Sequence, residues 1–188
     1  MSRPEILPAL HALLATPAPP ALDAAQRSGT LPAAEVETRV RAALLDAGLP
    51  AANADLVLAL LLLWHDHLDA AHTLAQGVEN ADGSFVHAIL HRREPDAWNA
   101  KYWWRRVGAH PAFAGLARRV GALLEPAGQT HLLAKLLPGG RWDASAFVDA
   151  CEAASAFSEP AEDPAAKWLR EIQRQETEVL LAHLAALR

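Results

Sequence analysis

Apolar positions recur every three to four residues over most of this chain, and the interruptions mark where it should turn. Leu56 to Trp64 is an unbroken apolar run. The helical pattern then continues through His65, Asp66, His67, Asp69 and His72, with neither proline nor glycine before Gly77. A helix that is apolar on every side belongs inside a bundle rather than on its surface. The pattern therefore predicts one buried central helix over residues 53–76, which carries its polar residues into the core.

Shorter helices are predicted around it. Val36, Val40, Leu44 and Ala47 share one face of a helix from Glu35 to Ala47 that Gly48 stops. Asp82 and Gly83 suggest a turn, after which Ser84 can cap a helix running to Arg93. Pro95 ends that helix, and Asp96 caps the next one as far as Gly108. Helices over Phe113 to Leu124, Thr130 to Leu137 and Asp143 to about Phe157 follow, each bounded by proline, glycine or a capping aspartate. Ser158 to Asp163 is an acidic, proline-bearing loop, and Asp163 before Pro164 signals the last helix. Trp168, Leu169, Ile172, Val179, Leu180, Leu184 and Leu187 form a broad stripe on it, suited to docking on the bundle or on a second copy as a homodimer. A first short helix ends near Leu14. Residues 16–32, with Pro17, Pro19, Pro20, Gly29 and Pro32, read as an irregular strap. The expectation is an all-α protein, one domain over residues 1–188, with seven to eight helices around the central one.

Composition narrows the partners. The chain has 17 basic and 22 acidic residues and a net charge of -5, which argues against general nucleic-acid binding, since that needs a basic footprint. The apolar run Leu56 to Trp64 is far shorter than the roughly 20 residues a membrane span requires. Cys151 is the only cysteine, so no disulfide can close within the chain, and a reducing, cytoplasmic setting is expected. In its alanine-rich surroundings Cys151 reads as a small core residue. Glu5, Pro8 and His11 interrupt the Ala/Leu-rich start, which reads as a short helix rather than a secretory signal.

Candidate chemistry concentrates between Leu56 and His110, which hold six of the nine histidines. At 100° per residue, His65, Asp69, His72 and Gln76 lie within about 60° of one another on a helix face. His87, His91 and Glu94 repeat that geometry on the following helix. If the two helices pack antiparallel, both stripes face one cleft. His65, His72, His87 and His91 would then be ligands for a divalent transition metal, Zn, Mn, Fe or Ni, which imidazole nitrogens suit better than Ca or Mg. Glu94 or Asp69 would move a proton, and Tyr102 could donate one. Arg92, Arg93, Lys101, Arg105 and Arg106 make a local basic patch able to hold a small anionic molecule. Gln76, Asn99, Trp103 and His110 would complete the pocket wall. A purely hydrogen-bonded histidine network would produce the same spacing without any metal.

The strings His72-Thr-Leu-Ala-Gln76, His87-Ala-Ile-Leu-His-Arg-Arg-Glu-Pro-Asp96 and Asn99-Ala-Lys-Tyr-Trp-Trp-Arg-Arg-Val-Gly-Ala-His-Pro111 resemble a family of helical proteins from bacteria and fungi. The likeness covers about a third of the chain. It implies that His72, His87, His91, Glu94, Asn99 and His110 belong to one site, and it brings no reaction with it. Separately, Leu62-Leu-Trp-His65-Asp66 superficially resembles the His-Asp pair of the HD superfamily of metal-dependent phosphohydrolases. The functional expectation is a metal-dependent, hydrolase-like enzyme acting on a small anionic substrate. The alternative is a non-catalytic ligand-binding or assembly protein with a histidine core.

Overall fold

The computed structural model describes residues 3–45, 47–155 and 164–186. Among them the fold is all-α, with ten helices and no strand: α1 (Arg3–Ala12), α2 (Ala33–Leu44), α3 (Ala51–Trp64), α4 (Leu68–Ala75), α5 (Ala81–Arg93), α6 (Ala97–Val107), α7 (Ala112–Leu124), α8 (Thr130–Leu136), α9 (Ala144–Ser155) and α10 (Pro164–Ala186). No described helix is long and apolar enough to cross a membrane. Residues 16–32 carry no helix or strand, as their prolines dictate. Phe157 and the expected loop from Ser158 to Asp163 lie outside the described residues.

The core has two parts. Leu56 to Trp64 is buried on all sides and anchors the larger one, together with α1, α2, α5 and α6. Leu116, Val120 and Leu124 of α7 meet Phe147, Cys151 and Ala154 of α9 in the smaller one. Helix α10 serves both: Ala166, Leu169 and Ile172 enter the smaller cluster, while Leu180, Leu181 and Leu184 enter the larger. The stripe expected on the last helix is thus largely consumed inside the chain. Cys151 is buried, and burial pushes its thiol up to about 12, so it is an inert core residue.

The single central helix expected over residues 53–76 is two helices. Asp66 has φ 68°, the left-handed region that normally favours glycine. His67 N–H donates to Leu62 O at 2.9 Å and Asp66 N–H to Leu63 O at 3.1 Å, a Schellman closure of α3 with aspartate in the glycine position. The strain is offset by side-chain bonds. Asp66 Oδ2 accepts from Arg27 Nε at 2.9 Å and Oδ1 from Arg93 Nη2 at 2.8 Å, while the same guanidiniums also donate to carbonyls at the helix end, Arg27 to Trp64 O and Arg93 to Leu63 O. The break therefore depends on two arginines distant in sequence, one in the strap and one in α5.

Helix α5 also starts earlier than Ser84. Asn80 is its cap, with Oδ1 accepting Gly83 N–H at 2.8 Å. Asp82 and Gly83 consequently sit in the first helical turn rather than in a turn before it. Gly83 is required there, because a Cβ at this position would lie 2.0 Å from the Val78 carbonyl oxygen. The expected caps at Asp96 and Asp143 are present, accepting Asn99 N–H at 3.1 Å and Ala146 N–H at 2.9 Å.

Candidate functional site

The break between α3 and α4 rotates the two halves of the expected histidine stripe apart. His65 leaves it altogether: its Nδ1 accepts Leu31 N–H at 3.1 Å and its Nε2 donates to Leu13 O at 2.9 Å. Both nitrogens are occupied, and burial lowers its pKa, so it is a neutral structural pin between the strap and the core. The four-histidine ligand set is corrected on that ground. So is the likeness to the HD pair, since Asp66 spends both carboxylate oxygens on Arg27 and Arg93. Burial would raise Asp66, but the Arg27 hydrogen bond and the Arg93 charge outweigh it and hold the carboxyl below its usual range.

The basic patch is dispersed as well. Arg93 is buried on Asp66, and Arg92 is buried on Glu176, with contacts of 3.0 and 2.5 Å from Nη1 and Nη2. Lys101 pairs with Asp149. Three of the five expected anion-binding residues are therefore partnered within the fold, and Arg92 and Arg93 are removed from any ligand site by burial. Asp69 of α4 and Gln76 at its C-cap are exposed, and neither side chain forms a hydrogen bond to the imidazoles they were expected to join.

The rest of the constellation does assemble. His72 of α4 lies against both histidines of α5, with ring centres 5.3 Å from His87 and 5.6 Å from His91, and the latter two are 6.0 Å apart. His87 Nδ1 donates to Gly83 O at 3.2 Å. Its flat face stacks on Trp103 at 4.1 Å. Burial pushes its pKa down to about 4, with His72, His91 and Arg106 pushing the same way, so the ring is neutral at pH 7 and its Nε2 carries a lone pair. His91 Nδ1 donates to Glu94 Oε2 at 2.8 Å. The Asn99 amide nitrogen lies 3.3 Å from both ring nitrogens, of which Nε2 is the one free to accept from it.

Outside the imidazoles, α6 supplies a lip. Trp98 and Tyr102, two of the three exposed large hydrophobic side chains in the described residues, stack 6.4 Å apart. Tyr102 meets Trp103 edge-on at 5.4 Å. The exposed Arg106 guanidinium stands 5.3 Å from the Trp103 ring and 5.9 Å from that of Tyr102. A continuous path of rings thus runs from solvent to the histidines, with one cation beside it.

His110 belongs to a second cluster on another face of α5. Asp82 Oδ1 accepts from His110 Nε2 and from His183 Nε2, both at 2.9 Å. The ligand atoms of these three residues already lie within 4.8 Å of one another, a spacing that could hold a metal ion as the side chains stand, and among the described residues no other group is that close without rearrangement. His110, however, accepts Ala112 N–H on Nδ1 at 3.2 Å. A metal on Nε2 would move its proton to Nδ1, against that N–H. Burial would raise Asp82, but the His110 hydrogen bond and the His183 charge hold its carboxyl below the ordinary range. Asp82 and His183 were missed in the sequence because the first imitates a turn residue and the second stands alone in α10.

Comparison with models of protein families, with curated proteins and with solved structures returned no match.

Proposed function

We propose that this chain is a metal-dependent enzyme of hydrolytic type acting on a small anionic substrate, with His72, His87 and His91 as ligands of a divalent transition metal (Zn, Mn, Fe or Ni). The observation that carries the reading is the arrangement of the three rings. Three imidazoles on one tetrahedral ion have their centres about 5 Å apart, close to the 5.3 to 6.0 Å found here. In two of the three, Nδ1–H is already committed to an acceptor, Gly83 O or Glu94, which leaves Nε2 as the ligand atom. That second bond is what fixes a metal-binding histidine in the right tautomer. Binding would require the rings to rotate about their outer side-chain bonds so that the three nitrogens meet at a common point, with Asn99 giving way at His91.

A metal held by three histidines keeps a position open and supplies a water acidic enough to ionise near neutral pH. Glu94, partly exposed beside His91, would relay the proton. With Arg92, Arg93 and Lys101 partnered and Arg105 bordering the groove on the other side of α6, Arg106 would be the cation for the substrate anion, with Tyr102 at 3.4 Å from its Nη1. The cluster of Asp82, His110 and His183 is the weaker metal candidate because of the Ala112 hydrogen bond.

Elemental analysis of protein purified without a histidine tag tests the proposal. One transition metal per chain is expected, lost in His87→Ala and His91→Ala and retained in Asp82→Asn. Loss in Asp82→Asn alone would move the centre to the other cluster. Absence of metal, with no uptake on titration with Zn, would leave a hydrogen-bonded histidine core and a non-catalytic protein.

A further inference from the structure

On the far side of α6 from the histidines, α6 and α7 border a groove that the segment from Leu137 to Ser145 closes. It measures about 1160 Å³, somewhat larger than the sites that usually hold drug-sized molecules. Its floor is α7, where Ala114, Ala117, Gly121 and Ala122 present side chains too small to fill it. Trp104, Phe113 and Trp142 make its apolar walls. The buried indole N–H groups of both Trp104 and Trp142 lack an acceptor, although buried donors are nearly always paired.

The rim is cationic. Arg105, Arg118 and Arg141 come from three separate segments, all are exposed, and none forms an ion pair among the described residues. Glu125 and Asp143 also border the groove, but the Asp143 carboxylate is engaged in capping α9. His110 at the inner end has both nitrogens committed, to Asp82 and to Ala112 N–H, so it offers no base. Apolar walls, a small-residue floor and unpaired guanidiniums at the mouth make a binding site rather than a reaction centre.

The geometry points to this groove as a binding site for an amphipathic carboxylate, an apolar body lying along α7 with its anionic head held by Arg118 and Arg141. Arginine recognises a carboxylate through paired N–H donors, and the apolar body removes Trp and Phe surface from water. This site is independent of the proposed metal centre and stands or falls separately.

Laurate, below its micelle concentration, is the probe, with dodecanol and acetate as controls, read by titration calorimetry on the full chain. Saturable binding of one laurate is expected, with dodecanol and acetate each weaker by about tenfold or more. Ala122 and Ala114 are exposed on their helix, so Ala122→Trp and Ala114→Trp should fill the groove without unfolding the chain, and each should weaken laurate by about tenfold. The double variant Arg118→Glu with Arg141→Glu should do the same, while His91→Ala binds as the parent does. No saturable binding, equal binding of dodecanol and laurate, or undiminished affinity in Ala122→Trp would each overturn the proposal.

Discussion

Two groups of buried polar side chains lie within a few turns of each other and have opposite characters. At the α3–α4 break, His65 has a backbone partner on each ring nitrogen, and Asp66 has a guanidinium on each oxygen. At the histidine cluster, His87 and His91 have fixed Nδ1 partners, while Nε2 is left to a lone pair or to a weak amide contact. Residue type and spacing are alike in both; what differs is how completely the folded chain satisfies them. Saturated groups hold architecture, because moving them leaves a buried donor or charge uncompensated. Groups with capacity to spare are where chemistry can enter.

The largest expected effect is on the saturated side. Glu176→Ala leaves the Arg92 guanidinium buried without its carboxylate and should cost about 3–5 kcal/mol in urea unfolding. Arg92→Met combined with Glu176→Leu should recover most of that loss. A double variant no better than Glu176→Ala would show that the pair does more than neutralise itself. Next comes Gly83→Ala. The clash with the Val78 carbonyl should destabilise the chain by about 2 kcal/mol, and because Gly83 O orients His87, metal uptake should fall with it.

Acid acts on both groups, because each holds a buried histidine with a lowered folded pKa, His65 in one and His87 in the other. His65 has a lowered folded pKa, so the unfolded chain binds a proton that the native one refuses. Its stabilising effect is full above about pH 6.5 and is lost progressively as the pH falls below that value. Denaturation midpoints should therefore drop between about pH 7.5 and about pH 5.5, and by less in His65→Gln. An unchanged slope in that variant would clear His65 of the effect. Asp66, whose folded pKa is depressed, keeps its stabilisation down to the unfolded carboxyl range near pH 3.8 and loses it only below.

Smaller effects belong to the open group. Glu94→Gln should weaken metal binding by about tenfold while leaving stability nearly unchanged, since Glu94 is partly exposed. Phosphate should raise the melting temperature of the parent protein, and Arg106→Ala should abolish that rise while Arg92→Met combined with Glu176→Leu should not. A phosphate shift that survives Arg106→Ala would place the anion elsewhere.

Much of this was visible in the order of residues. Local signals located the helices because caps, prolines and apolar periodicity act over three or four residues. They pointed to His72, His87, His91, Glu94, Asn99 and Trp103, which the fold does bring into contact, because these lie on short consecutive elements. They failed at the α3–α4 break, where no proline or glycine stands and Asp66 adopts its conformation only because Arg27 and Arg93 reach it from afar. They failed for the same reason at Arg92, whose partner is 84 residues away, and at His110, whose companion His183 has no neighbour to announce it. Saturation is a property of distant pairs, and spacing along the chain carries no record of it.

Helix α10 has a consequence for how the protein is made. It is the element that knits the two apolar clusters together, and it brings Glu176 to Arg92. While the polypeptide is still leaving the ribosome, α5 is already out, with a guanidinium that no earlier residue neutralises, and both halves expose the surfaces that α10 will cover. Completion of this part of the fold therefore waits on the synthesis of α10, and the nascent chain should depend on chaperones up to that moment.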